Sequence, residues 1–161
     1  MPLTNDRLLQ SDTTQVEDGM DGGVCVINKT KQTLEYAGAK HPLILVQNGY
    51  LREIKGDRQG INTFRVDIPT HFTKHTIDIS EPTTFFMYSD GYQDQFGGEQ
   101  GRKFMKTAFL KLLEQIASKS PTEQKQILET TLDDWMNGNG MQTKQIDDIL
   151  VMGVQLGEKV I

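Results

Sequence analysis

Four aspartates are the residues of this 161-residue chain best placed for chemistry. Asp90 and Asp94 stand in the stretch Tyr88-Ser89-Asp90-Gly91-Tyr92-Gln93-Asp94, and Asp147 and Asp148 directly precede the run Ile149 to Val154. Asp90 follows Thr84 to Tyr88, apolar, aromatic and free of charge, which has the composition of a strand buried on both faces. Gly91 lets the backbone turn there, so that Asp90 is presented at the strand's end, and Asp94 is close enough to share a site. Ile149 to Val154 is apolar enough to be a central strand. If the two strands are antiparallel neighbours, the exit of one lies beside the start of the other and the carboxylates converge. Converging carboxylates repel unless a cation sits between them. Oxygen-only ligation suits Mg²⁺ or Mn²⁺ and disfavours zinc, whose sites lean on His and Cys. Asp-Gly is also a common turn pair, and on the tripeptide alone a plain turn is the commoner outcome.

The elements that would position these residues are read from pattern. Val24 to Ile27 and Thr33 to Ala37 read as a hairpin, and Pro42 to Val46 as a third strand. Asn48-Gly49 then favours a type I′ turn, with Leu51 to Ile54 as the returning strand. Lys55 to Thr73 has no sustained period and reads as a loop; His75 to Ile79 alternates and reads as a strand. Beyond Gly101 the period lengthens to that of a helix, with Met105, Phe109, Leu112, Leu113 and Ile116 on one face. Ser120-Pro121-Thr122-Glu123 has the form of a capping box opening a second helix, along which Leu128, Thr131, Leu132 and Trp135 face one way. Asn137 to Gly140 ends it. These elements make one domain over 1–161, α+β with a mostly antiparallel sheet. Residues 1–17, with a small cluster at Leu3, Leu8 and Leu9, read as a residual helix or a flexible lead-in.

Composition excludes several classes of function. Net charge is −5 and no Lys/Arg run forms a basic stripe, which speaks against nucleic acid or an anionic membrane as the main partner. No apolar run approaches the roughly 20 residues of a membrane span and no signal peptide opens the chain, so a cytoplasmic domain is expected. The single Cys25 sits in an apolar run, where an inert thiol is expected rather than a nucleophile. His41 and His71 have no metal-ligand spacing and read as surface or capping residues.

Five segments in order carry a resemblance. They are Asp18-Gly19-Met20-Asp21 leading into Val24 to Ile27; Leu34 to Leu43, with Ala37-Gly38-Ala39-Lys40-His41-Pro42; Asn48-Gly49; Tyr88 to Gly98; and Asp147-Asp148-Ile149-Leu150-Val151. Together they resemble bacterial PPM-type metal-dependent protein phosphatases, in the branch named for the stage II sporulation protein E. The resemblance implies a β-sandwich flanked by helices, with two Mg²⁺ or Mn²⁺ ions at one end and hydrolysis of phosphoserine or phosphothreonine by an ion-activated water. Carried over, Asp90 would be a ligand of one ion and Asp147 of the other, with Asp148 the alternative to Asp147. Asp94 would be a further, weaker acidic position, and Gly91 the turn beside the metals.

Two acidic segments of the family pattern do not occur here: an early Gly-Asp-x-x-Asp, and an Asp-x-x-Gly-His-Gly that leads into a long helix. Asp18-Gly19-Met20-Asp21-Gly22-Gly23 imitates the second, yet runs into a strand. The resemblance therefore implies the C-terminal part of a phosphatase domain, incomplete at its N-terminus. Weak or absent metal binding and negligible activity are expected of these residues alone. It also implies a phosphoprotein substrate such as an anti-sigma factor antagonist, sensory or receiver domains in the parent polypeptide, and, where sheet faces are left uncovered, a homodimer. The rival expectation is a non-catalytic, phosphatase-like module that docks a regulatory partner.

Overall fold

The computed structural model describes residues 19–62, 71–138, 140 and 143–157. The Leu3, Leu8 and Leu9 cluster, Asp18 and residues 63–70 of the loop lie outside the described residues. In chain order the strands begin with β1 (Gly19–Met20), β2 (Gly22–Asn28), β3 (Thr33–Ala39), β4 (Leu43–Gln47) and β5 (Tyr50–Ile54). There follow β6 (Ile61–Asn62), β7 (His75–Asp78) and β8 (Thr83–Tyr88), then the one-turn helix α1 (Gly91–Asp94). A short hairpin, β9 (Phe96–Gly97) with β10 (Arg102–Lys103), leads into α2 (Lys106–Ile116) and α3 (Pro121–Asn137), and β11 (Val151–Leu156) closes the chain.

Two antiparallel sheets make up most of the domain. One runs β11-β8-β4-β5 and the other β2-β3-β7, while β1 pairs with β6 in a small ladder of its own. The sheets face each other across a core of Leu34, Tyr36 and Ile77 from the second sheet and Leu43, Leu45, Ile54 and Phe85 from the first. Strand alternation sends the neighbouring residues Ile44, Val46, Phe86 and Tyr88 to the opposite face of the four-stranded sheet. There they pack under Phe109, Leu113 and Ile116 of α2. The order is therefore helices, sheet, sheet: an α+β, mostly antiparallel sandwich flanked by helices. Among the described residues no helix is long and apolar enough to cross a membrane.

Local chemistry fixes much of this. Asn48 and Gly49 both have positive φ, 51° and 80°, the pairing a tight β4–β5 turn requires. Ser120 caps α3 as a capping box, its backbone N–H donating to Glu123 Oε2 at 2.9 Å while the Glu123 N–H reaches Ser120 Oγ at 3.4 Å. Burial of Cys25 raises its thiol pKa, and the thiol rests 3.7 Å from Met87 Sδ, as expected for an inert side chain.

Two expectations need correction. Met105 is not on the buried face of α2: it caps the helix with φ 77° and its side chain is exposed. Nor is β11 central, because among the described residues it lies at the edge of its sheet. Its apolar character has another cause. Val151 packs toward the helices, whereas Val154 and Leu156 pack toward the second sheet. Two-sided apolarity in a strand reports layers above and below it, not strands to either side.

Candidate functional site

β8 and β11 are antiparallel neighbours, with Val151 opposite Tyr88. Asp90 therefore leaves the sheet at the end where the chain from Asp147 and Asp148 comes in. Three features fasten that junction. Ser89 is the first: its N–H donates to Leu150 O at 2.9 Å, its hydroxyl donates to Asp148 O at 2.7 Å, and it accepts from the Leu150 N–H at 2.8 Å. Gly91 is the second. It opens α1 and does not have a positive φ, so freedom to turn is not what it supplies. A Cβ there would collide with the Asp148 carbonyl oxygen and stand 3.1 Å from Ile149 Cγ1. The glycine is needed for close approach of the two chain segments, which corrects the expectation of a simple turn.

The third is Gln95, which pattern reading missed. It is fully buried, at 0% exposure. Its amide donates to Phe96 O at 3.1 Å and Lys144 O at 3.0 Å and accepts from the Ile146 N–H at 3.4 Å. Its backbone carbonyl accepts from the Trp135 indole at 3.0 Å and the Phe104 N–H at 2.9 Å. One residue thus ties α1, the β9–β10 hairpin and α3 to the segment that delivers Asp147. The only hint in the sequence is a glutamine set among aromatic residues.

The four aspartates have different surroundings. Asp90, at the N-cap position of α1, is exposed and its side chain makes no capping bond. Asp147 is also exposed, and its Oδ1 accepts from the Asp148 N–H at 2.7 Å. Asp148 contributes the backbone carbonyl that Ser89 holds. Asp94 is engaged elsewhere, in an ion pair with Lys103 Nζ at 3.0 Å. Beside them, Tyr88 is buried against Phe109, ring centroids 4.9 Å apart. Desolvation, followed by the nearby Glu53 charge, raises its hydroxyl pKa to about 12, so it stays protonated. His41 reaches the same end, its ring 6.4 Å from that of Tyr88 and its Nδ1 3.1 Å from Pro42 O, a half-buried contact residue. His71 is exposed, as expected.

Among the described residues no group of three or more His, Cys, Asp or Glu side chains could hold a metal ion. A hard divalent cation takes six or more oxygen ligands and draws most of its affinity from the charged ones. Exposed carboxylates at Asp90 and Asp147, with Asp94 held by a lysine, do not by themselves make a centre for two such ions.

The comparisons agree with this partial picture. Residues 4–157 match the family described as Stage II sporulation protein E. Among solved structures, the SiaA-PP2C domain of Pseudomonas aeruginosa is similar with a TM-score of 0.72 and 27% identity, over 85% of this chain and 52% of that one. The phosphatase domain of the cell fate determinant SpoIIE from Bacillus subtilis is similar in fold, with a TM-score of 0.59 and 13% identity, over 88% of this chain and 60% of that one. No curated protein matches. The chain spans about half the length of the structures it resembles. With a family match over nearly its whole length and the same sandwich, the chain belongs to the Stage II sporulation protein E family of PPM-type phosphatase domains.

Proposed function

We propose that this chain is the C-terminal part of a metal-dependent phosphatase domain that acts on phosphoserine or phosphothreonine of a bacterial signalling protein, such as an anti-sigma factor antagonist. Sensory or receiver domains in the same polypeptide would govern it. Asp90 and Asp147 are the residues this part contributes toward Mg²⁺ or Mn²⁺, with Asp148 the alternative to Asp147 and Asp94 secondary. The observation that carries the reading is the junction itself. Two aspartates 57 positions apart by number (147 less 90) leave adjacent antiparallel strands at one end, and Ser89 and Gly91 hold the two backbones together there. The donor set is incomplete, so the 161 residues alone should hydrolyse a phosphoserine peptide no faster than buffer, with or without Mn²⁺. Measurable Mn²⁺-dependent turnover by this chain would overturn that. In a polypeptide that joins the chain to both acidic motifs, Asp90→Asn should lower activity at least about 100-fold, as loss of a metal-site group does. An unchanged rate would remove Asp90 from the site.

A second reading is favoured by the Lys103–Asp94 ion pair, which already neutralises one carboxylate. In it the chain is a non-catalytic module that docks a regulatory protein. Binding of a phosphopeptide that survives Asp90→Asn, without turnover in the longer polypeptide, would select it.

A further inference from the structure

Among the described residues, four that are not glycine have positive φ: Gln32, Lys40, Asn48 and Met105. Gln32 and Asn48 stand in the turns of the β2–β3 and β4–β5 hairpins, where that conformation is usual. Lys40, at φ 53°, stands in no hairpin. It opens the segment Lys40 to Pro42, which carries the chain from β3 in one sheet to β4 in the other. β4 runs antiparallel to β8 with Ile44 opposite Phe86, so the segment lies at the end where β8 gives way to Asp90. The His41 ring beside Tyr88 marks the same place.

The backbone of that segment is clamped. The Lys40 N–H donates to Asp57 O at 2.7 Å, and the Asp57 N–H donates to Gly38 O at 2.8 Å. The Tyr36 hydroxyl donates to His41 O. Gly38 and Gly56 both press on that same carbonyl oxygen, so closely that neither has room for a Cβ. Asp57 is itself fixed, its carboxylate accepting from the Thr73 N–H at 2.6 Å and the Thr73 hydroxyl at 2.9 Å. A left-handed backbone is costly for lysine and persists only where the surroundings impose it.

The Lys40 side chain is outside this clamp. It is 52% exposed, its ammonium 3.5 Å from an Asp21 carboxylate that is 53% exposed, a pair that adds little attraction. Two other lysines of that end are more closely engaged, Lys103 with Asp94 at 3.0 Å and Lys106 with Glu53 at 2.7 Å.

We propose that Lys40 is a substrate-binding residue whose ammonium donates to the phosphoryl oxygens of the phosphoserine or phosphothreonine. The inference rests on the phosphatase reading and adds to it a residue that the metal ligands do not supply. A phosphoryl dianion brought up to carboxylates needs positive charge on its other side. A lysine on a backbone that is already ordered offers three donors without the cost of ordering a loop.

The test uses the polypeptide that joins this chain to both acidic motifs, loaded with Mg²⁺, and follows binding of inorganic phosphate by equilibrium dialysis. Lys40→Met should raise the dissociation constant at least about 10-fold, as loss of one charge-assisted hydrogen bond does. Lys74→Met, which breaks an ion pair with Glu35, should leave it unchanged. Lys40→Gly relieves the left-handed backbone, so it should weaken phosphate as much as Lys40→Met without lowering the unfolding midpoint. Equal affinity in the parent and Lys40→Met, or no phosphate bound by the parent at about 10 mM, would overturn the inference. So would weakening matched by a lowered midpoint in both Lys40 variants, which would make Lys40 a structural residue. Turnover is measured separately. A parent that binds phosphate through Lys40 yet hydrolyses no phosphoserine peptide would refute the catalytic reading and leave the phosphate site standing.

Discussion

The β8–β11 ladder is tied at its aspartate end and bare along its outer edge. At the end, Ser89, Gly91 and Gln95 place hydrogen bonds and close contacts on both incoming segments. Along the edge, Met152 stands half exposed and no described strand pairs with β11 on that side. The contrast shows where the fold has placed its specificity. Positioning a few side chains at a strand end takes an over-determined backbone, whereas an edge needs only a complementary partner.

The greatest loss should come from the buried amide that the aspartate end depends on. Gln95→Leu keeps the volume but leaves Lys144 O, Phe96 O and the Ile146 N–H without their partner. Each buried polar group so orphaned costs about 1–3 kcal/mol, and some will find water, so a loss of about 2–4 kcal/mol is expected. Thermal unfolding would measure it. A loss below about 1 kcal/mol would mean that the segment before Asp147 is held by other contacts and that the end is no more constrained than the edge.

Gly91→Ala probes the same contrast with a single methyl group. The added Cβ would meet the Asp148 carbonyl, and relief requires the two segments to part. About 1–3 kcal/mol is expected, with backbone amide shifts confined to residues 89–92 and 147–150. A neutral substitution would restore the simpler view that glycine serves only to turn the chain.

That simpler view came from the sequence, and its failure is instructive. Glycine after a strand is selected both by turn chemistry and by close approach of a distant segment, and only the second partner's position distinguishes them. Strand and helix identities were legible because period and punctuation are local: the Asn48-Gly49 turn and the Ser120–Glu123 box stand where their residues place them. The placement of Asp90 and Asp147 at strand ends was legible for the same reason, since each sits where an apolar run breaks. Met105 fits the helical spacing of α2 but lies one position before the helix begins, so periodicity extended the buried face too far. The edge position of β11 and the burial of Gln95 depend on what lies across the fold, which no local window contains.

The mildest change belongs to the capping box of α3, which lies away from the aspartate end and so serves as a control on it. Ser120→Ala removes the hydroxyl that caps Glu123, a change worth about 1 kcal/mol at a helix N-terminus. It should lower the unfolding midpoint without moving the amides around Asp90 and Asp147. Its pH dependence has a definite sign. Hydrogen bonds from the Ser120 side chain, and then from its backbone, hold the Glu123 carboxyl below its ordinary 4.5. A carboxyl depressed on folding stabilises above its unfolded pKa and loses that contribution as pH falls through the folded value. The gap in unfolding midpoint between Ser120→Ala and the parent should therefore be full at about pH 7 and narrower at about pH 3. A gap that stays constant across that range would show that the Ser120 hydroxyl, which donates to Glu123 Oε2 at 2.6 Å, does nothing to hold that carboxyl ionised.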